Sequence, residues 1–140
     1  MGAVLVAVAA HTMAAFSLVG QRWTAEIIPM EVSLGPAAGL VDGSADWDAC
    51  AGQSLAAWNA ALARTAVRFT NVRGSSNSPA AFDRVNSVGF ADDVFGTPFG
   101  PSLLSVTQTF AHVQDGLDAT FETDVLINRS QAFNCYRGVQ

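Results

Sequence analysis

Apolar residues follow two different periods along this chain, and the change of period predicts where its helix and strands lie. Residues 22–34 carry β-branched and alternating apolar positions, which predicts a strand with an irregularity at Pro29. From Trp47 the apolar positions recur every three or four residues, which predicts an amphipathic helix from Trp47 to Leu62 with Asp46 as its N-cap. The members of this stripe are Trp47, Ala51, Leu55, Trp58 and Leu62.

Further strand-like segments follow the helix. They alternate in polarity or are rich in β-branched and aromatic residues, and they comprise residues 65–72, 85–90, 103–110 and 120–127. Polar or Gly-Pro-rich turns separate them, of which the segment from Gly74 to Pro79 is the most polar. A strand, a helix and then more strands require at least one β-α-β crossover. The pattern therefore predicts one α+β or α/β domain built on a single sheet.

Composition and charge narrow the class of protein. With 140 residues, of which 50% are apolar and 14% charged, the chain has room for one folded domain. The net charge is −5 and there is no lysine, so the chain has no basic patch to neutralise phosphates. We therefore expect no nucleic-acid partner. An acidic, lysine-free surface suits an exported protein.

The N-terminal apolar run from Gly2 to Val19 has three interpretations. Its length and its small-x-small triplets favour a signal peptide over residues 1–20, although the basic start is missing. A transmembrane anchor would need about 20 strongly apolar residues, and this run is alanine-rich and interrupted by polar groups. A buried core helix is the third possibility. We expect a leader over residues 1–20 and the domain over residues 21–140.

The two cysteines, Cys50 and Cys135, are far apart and form neither a redox motif nor a zinc knuckle. In an exported chain they could form one disulfide, and otherwise they could be two separate buried thiols.

Five short motifs occur in a characteristic order after the leader. They are Trp58-Asn59, Asp83-x-x-Asn86-x-Val88-x-Phe90, Gly96-x-x-Phe99-Gly100, Leu104-Ser105-Val106-Thr107 and Glu122-x-Asp124-Val125-x-Ile127-Asn128. Each is weak alone, but together the chain from Trp23 to Gly138 resembles the upper subdomain of bacterial matrixin-like zinc metalloproteases, which are metzincins. The resemblance implies a twisted five-stranded mixed sheet, four strands parallel and one edge strand antiparallel, with one long amphipathic helix packed on it.

The resemblance also implies where a substrate would bind. In that family an extended peptide pairs with the antiparallel edge strand by β-augmentation. The matching residues here are Leu104, Ser105, Val106 and Thr107. The alternative is an ordinary edge strand whose apolar side chains pack in the core, and both can hold because successive side chains face opposite sides.

The family's catalytic zinc motif, H-E-x-x-H-x-x-G-x-x-H, does not occur in this chain, which contains only His11 and His112. We therefore assign no catalytic residue, and we expect His112 to face solvent beyond the fourth strand. Leu126 stands where animal matrixins carry a zinc-binding His, so no structural zinc site is carried over. Asp124 is a weak calcium candidate, and the simpler expectation is that Asp124 and Asn128 bond to neighbouring loop backbone.

These observations predict a fragment of a secreted zinc-dependent endopeptidase that ends before the zinc helix and is inactive as given. Zinc would be the cofactor of the full-length parent, and a peptide or protein substrate would be the partner. Without the family's second helix, an apolar strip should be exposed and favour self-association, whereas no stable membrane association is expected once the leader is removed. The alternatives are a stand-alone secreted binding module that uses its exposed edge strand, and an unrelated secreted α+β domain.

Overall fold

A computed structural model describes residues 20–73 and 78–136. The leader predicted over residues 1–20 lies outside the described residues except for Gly20, as does most of the polar segment after Gly74. Within the described part of the chain, the prediction of an α+β fold with one helix on a mostly parallel sheet is confirmed.

The helix and eight strands follow one another in the order β-β-α-β-β-β-β-β-β. Their bounds are β1 Arg22–Trp23, β2 Ile27–Ser33, α1 Trp47–Ala61, β3 Arg68–Arg73, β4 Ser87–Ala91, β5 Asp93–Val94, β6 Thr97–Pro98, β7 Ser105–Gln114 and β8 Leu117–Asn128. The sequence did not predict β5 and β6, a two-residue antiparallel pair in which the Asp93 carboxylate accepts from the Gly96 amide at 2.7 Å.

Six strands form the main sheet. Strands β3, β2, β4 and β8 lie side by side and all run parallel, and β1 adds a short parallel pairing to β8. Strand β7 returns antiparallel along the other side of β8. A β-bulge at Phe121, which has no partner on β7, shifts the register between Phe110 and Ala111. The sheet thus has six strands where five were expected, because the first predicted strand divides into two.

Pro29 shows how a central strand accommodates a proline. It lies inside β2, opposite Thr70 of β3, and its carbonyl accepts from the Asn86 side-chain amide at 3.0 Å. Pairing between β2 and β4 begins only at Glu31. Pro29 lacks a backbone N–H, and at this position β2 has no backbone hydrogen-bonding partner on its β4 side. The strand therefore tolerates the proline.

The sheet has two unlike faces. We call the side that carries α1 the helix face, and the side covered by the segment 79–86 before β4 the loop face. Ile28, Met30 and Val32 of β2 are at most 4% exposed and form the best-packed part of the helix face. On the loop face Pro79 packs so closely on Gly89 that a Cβ at Gly89 would meet its ring at 2.7 Å.

Polar side chains cap the start of α1 and fix its end to the sheet. Asp46 caps the helix by accepting from the Ala49 amide at 2.6 Å, as predicted. Asn59 accepts from the Phe69 amide and donates to the Phe69 carbonyl, both at 2.8 Å. The Asn59 side chain therefore pairs with the backbone of β3 as a neighbouring strand would.

Trp58 belongs to the predicted apolar stripe of α1, but its side chain is 62% exposed. No residue of α1 is fully buried.

Candidate functional site

The outer edge of β7 is the longest open edge of the sheet. Strand β7 runs for ten residues and pairs with β8 along one side only, within the part of the chain that the structure describes. Its other side therefore presents unpaired backbone N–H and C=O groups. Residues 94 to 114 include no Asp, Glu, Lys or Arg, so the edge carries no charged side chain.

The four residues predicted to bind substrate lie at the start of this edge. Ser105, Val106 and Thr107 are the first residues of β7, and Leu104 precedes the strand with its side chain 55% exposed. The alternative in which the apolar side chains of this segment pack in the core therefore does not hold for Leu104, whereas Val106 is half-buried.

Buried Asn128 fixes the position of this strand start. Its amide nitrogen donates to the Leu103 carbonyl at 2.8 Å and its backbone N–H donates to the Leu104 carbonyl at 2.9 Å. Its side-chain oxygen accepts from the amide and the hydroxyl of Ser130. Asn128 thus bonds to neighbouring loop backbone, as expected, and it joins the end of β8 to the segment that enters β7.

An apolar groove lies on the helix face between α1 and β7. Two adjoining cavities of about 350 and 310 Å³ share Leu55, Trp58, Val88 and Val125, so they form one continuous groove. Met30 and Thr107 line one end, and apolar side chains line most of the rest. We define the apolar groove by Met30, Leu55, Trp58, Val88, Phe90, Thr107, Val125, Ile127 and Phe133.

A disulfide closes the other end of the groove. Cys50 of α1 is bonded to Cys135, with a Cα–Cα distance of 6.3 Å across a sequence separation of 85. The Asp42 amide donates to the Cys135 carbonyl at 3.1 Å and the Val41 amide donates to Asn134 at 2.9 Å. The segment after β8 is therefore joined covalently to the first turn of α1 and by hydrogen bonds to the loop that precedes the helix.

The loop face is held by two carboxylates that are completely buried, Glu122 and Asp124 of β8. Glu122 accepts from the Phe82 amide at 2.6 Å and from the Arg84 amide at 2.5 Å. Phe82 and Arg84 both have positive φ, near 63° and 65°, a conformation that non-glycine residues rarely adopt. Glu122 thus stabilises a turn that local preferences disfavour.

Asp124 lies beside Glu122 on the same face because the two residues are separated by one position of the strand. The Ser87 hydroxyl donates to one Asp124 oxygen at 2.5 Å, and the other oxygen has no hydrogen-bond partner among the described residues. Burial raises the pKa of Asp124 to about 6; the negative charges of Glu122 and Asp83 add to this effect, while the Ser87 hydrogen bond opposes it. Asp124 was expected to bond to loop backbone, but it bonds to the side chain of a strand residue, Ser87.

No metal site is formed by the described residues, since they contain no group of three or more His, Cys, Asp or Glu side chains that could hold an ion. His112 lies within β7, where its exposed ring contacts Phe121 with centroids 5.5 Å apart, so its expected position beyond the strand is wrong. The donor set for the zinc implied by the resemblance is therefore not present in the described structure. No helix in the described ranges is long and apolar enough to span a membrane.

Sequence reasoning missed the burial of Glu122 and Asp124. The available signal was the spacing, which places both carboxylates on one face of a strand, but it does not reveal which face is covered. The covering segment is 40 positions earlier in the chain, so only the folded chain brings it to this strand.

Comparison with known proteins adds no relative: no protein-family model, curated protein or solved structure matches this chain.

Proposed function

We propose that this chain forms the sheet-and-helix part of a matrixin-like zinc endopeptidase, and that its own role is to bind an extended peptide along the outer edge of β7. The observation that carries the proposal is this edge, ten residues long, uncharged and unpaired on its outer side among the described residues. Such an edge can accept an additional strand through main-chain hydrogen bonds.

The apolar groove supports the protease fragment over a stand-alone binding module. A helix of a finished domain normally buries an apolar stripe, whereas α1 buries no residue completely and leaves Trp58 62% exposed. The groove beside it has the apolar lining that a further packed element would cover. In the family that this sequence resembles, a second helix covers this part of the sheet.

The Cys50–Cys135 disulfide supports an exported protein, because such bonds persist in oxidising compartments. Hydrolysis is not part of the role proposed for these 140 residues, since the sequence contains only two histidines and no H-E-x-x-H motif.

The proposal is tested with an extended ten-residue peptide rich in Ser, Thr and Val, with an arginine at each end for solubility. Isothermal titration calorimetry on the full chain should give saturable binding. Two control peptides have the same sequence and are N-methylated at every second residue, one at the odd positions and the other at the even positions. Each keeps its side chains but loses the main-chain donors along one of its two edges. One of the two methylated peptides should lose most of the affinity.

Equal binding of all three peptides would show that main-chain pairing is not the binding mode, and no binding of the unmodified peptide at millimolar concentration would refute the proposed role.

A further inference from the structure

We infer that two copies of this chain pair edge to edge through β7, antiparallel and related by a twofold axis, so that the two sheets become one. The inference concerns the same edge as the proposed peptide site, but it does not depend on peptide binding. It follows from a difference between the two edges of the sheet.

The β3 edge is short and carries arginine at both ends. It has six residues, beginning at Arg68 and ending at Arg73. The Arg68 guanidinium donates to the carbonyls of Leu62, Thr65 and Val67 at 2.6 to 2.9 Å, which gathers the preceding turn against the start of the strand. Short length and charged residues are the features with which proteins protect an edge from pairing.

The β7 edge has none of these protections. Its ten residues include no charged residue, no proline and no glycine, and the β-bulge lies in β8, so that β7 itself is uninterrupted. Thr107 lies on the helix face, because it lines the groove with Val125, and strand alternation places Ser105 and Thr109 beside it. Threonine and serine side chains facing each other across paired strands stabilise the pairing.

The charge distribution permits this pairing although each copy carries a net charge of −5. The charged residues nearest to the strand along the chain are Asp93 and Asp115, and the exposed charge nearest to it in the sheet is Asp118, which pairs with Val113 at the same end as Asp115. In an antiparallel pair the two Asp115 side chains fall at opposite ends of the strands, roughly 30 Å apart at about 3.4 Å per residue. This exceeds the screening length of about 8 Å at physiological salt, so their repulsion is small.

Pairing of β7 with β7 also sets the size of the assembly. An interface that uses the same edge twice is closed by its twofold axis and stops at a dimer, whereas pairing of β7 with β3 of another copy would continue without limit. Antiparallel pairing keeps the two helix faces on the same side, so the two apolar grooves lie side by side.

Sedimentation equilibrium of the full chain tests this inference. The wild-type chain should form a concentration-dependent dimer. Thr107→Lys, which places a charge on the β7 edge in each copy, should raise the dimer dissociation constant at least about tenfold, because lysines on an edge oppose strand pairing. Thr70→Lys, an exposed threonine on the β3 edge, is the matched control and should change the dissociation constant by less than about twofold.

Two further measurements keep the test decisive. Ser105→Lys, also exposed and outside the groove lining, should act like Thr107→Lys, and serves in its place if that variant does not fold. Amide hydrogen exchange in β7 should slow at high protein concentration while exchange in β3 stays the same.

Three results would overturn the inference. The chain could be monomeric at every concentration, or it could form an assembly larger than a dimer. It could also form a dimer that is dissociated by Trp58→Arg but by neither β7 variant. If the chain dimerises yet binds no peptide, the inference stands and the proposed function fails. If peptide converts the dimer to a peptide-bound monomer, both are supported.

Discussion

The two faces of the sheet are stabilised by different means. The helix face is apolar, incompletely covered by α1 and closed at one end by the Cys50–Cys135 disulfide. The loop face buries Leu126 and Phe110, and it also carries the buried carboxylates of Glu122, which holds the covering segment, and Asp124, which accepts from Ser87 of β4. A covalent link supplements incomplete apolar packing on the helix face, and hydrogen bonds to buried carboxylates supplement apolar packing on the loop face.

The disulfide should make the largest single contribution to this balance. The Cys50→Ser, Cys135→Ser double variant should lower the free energy of unfolding by about 4–5 kcal/mol, because the bond closes a loop with a sequence separation of 85. Urea unfolding followed by tryptophan fluorescence measures the loss. A reductant should destabilise the wild-type chain by a similar amount and leave the double variant unchanged; stability of the wild-type chain that does not respond to reductant would contradict the role given to the bond.

Loss of the Glu122 carboxylate should have the second largest effect and should act on the loop face. Glu122→Ala leaves the amides of Phe82 and Arg84 without their acceptor. Two hydrogen bonds to a charged group at about 1.5–3 kcal/mol each, less the desolvation cost of the carboxylate that is removed, should make the loss about 3–4 kcal/mol. Glu26→Ala, at an exposed glutamate, is the control and should change stability by less than about 0.5 kcal/mol. Hydrogen exchange should show the segment 79–86 opening in Glu122→Ala. Equal losses of stability in the two variants would show that Glu122 does not hold this segment.

Asp124 should make the stability of the loop face depend on pH. Its pKa is raised by burial from 3.8 to about 6, so the folded chain binds this proton more tightly than the unfolded chain. The resulting stabilisation is fully present below about pH 3.8 and is lost as the pH rises through about 6.

Between pH 8 and pH 5, Asp124 should therefore add about 1–2 kcal/mol to the free energy of unfolding. The increase is measured as the difference between the wild-type chain and Asp124→Asn, which cannot gain this proton. Identical pH profiles of the two chains would show that Asp124 is not the titrating group.

The smallest stability effect is expected in the apolar groove, at Trp58. Trp58→Ser should change the free energy of unfolding by less than about 1 kcal/mol because the side chain is 62% exposed. Binding of 8-anilinonaphthalene-1-sulfonate should nevertheless fall clearly, since the variant removes part of the groove lining. Val113→Ser, 72% exposed at the far end of the β7–β8 hairpin, should leave dye binding unchanged. Dye binding that falls equally in both variants would place the dye outside the groove.

Local patterns predicted most of the fold. The stripe beginning at Trp47 and the Asp46 cap defined α1 to within one residue at each end, because helix periodicity and capping are properties of neighbouring residues. The strands were located less exactly. Strand β7 continues four residues past Phe110, and the pairing with β8 that extends it involves residues on both sides of the Asp115-Gly116 turn.

The candidate site was predictable only in part. The absence of charge from the β7 segment and the position of Leu104 to Thr107 can be read from the sequence. Its edge position was expected only from the family resemblance, because periodicity and composition do not show which other strands find partners.

The sequence by itself determined the class of fold, the helix and the lack of a zinc-binding histidine set. Only the tertiary structure decided the order of the strands, the exposure of Trp58 and the burial of Glu122 and Asp124. The physical reason is range: periodicity and capping act within a few residues, whereas burial depends on segments that meet across 40 to 85 positions of the chain.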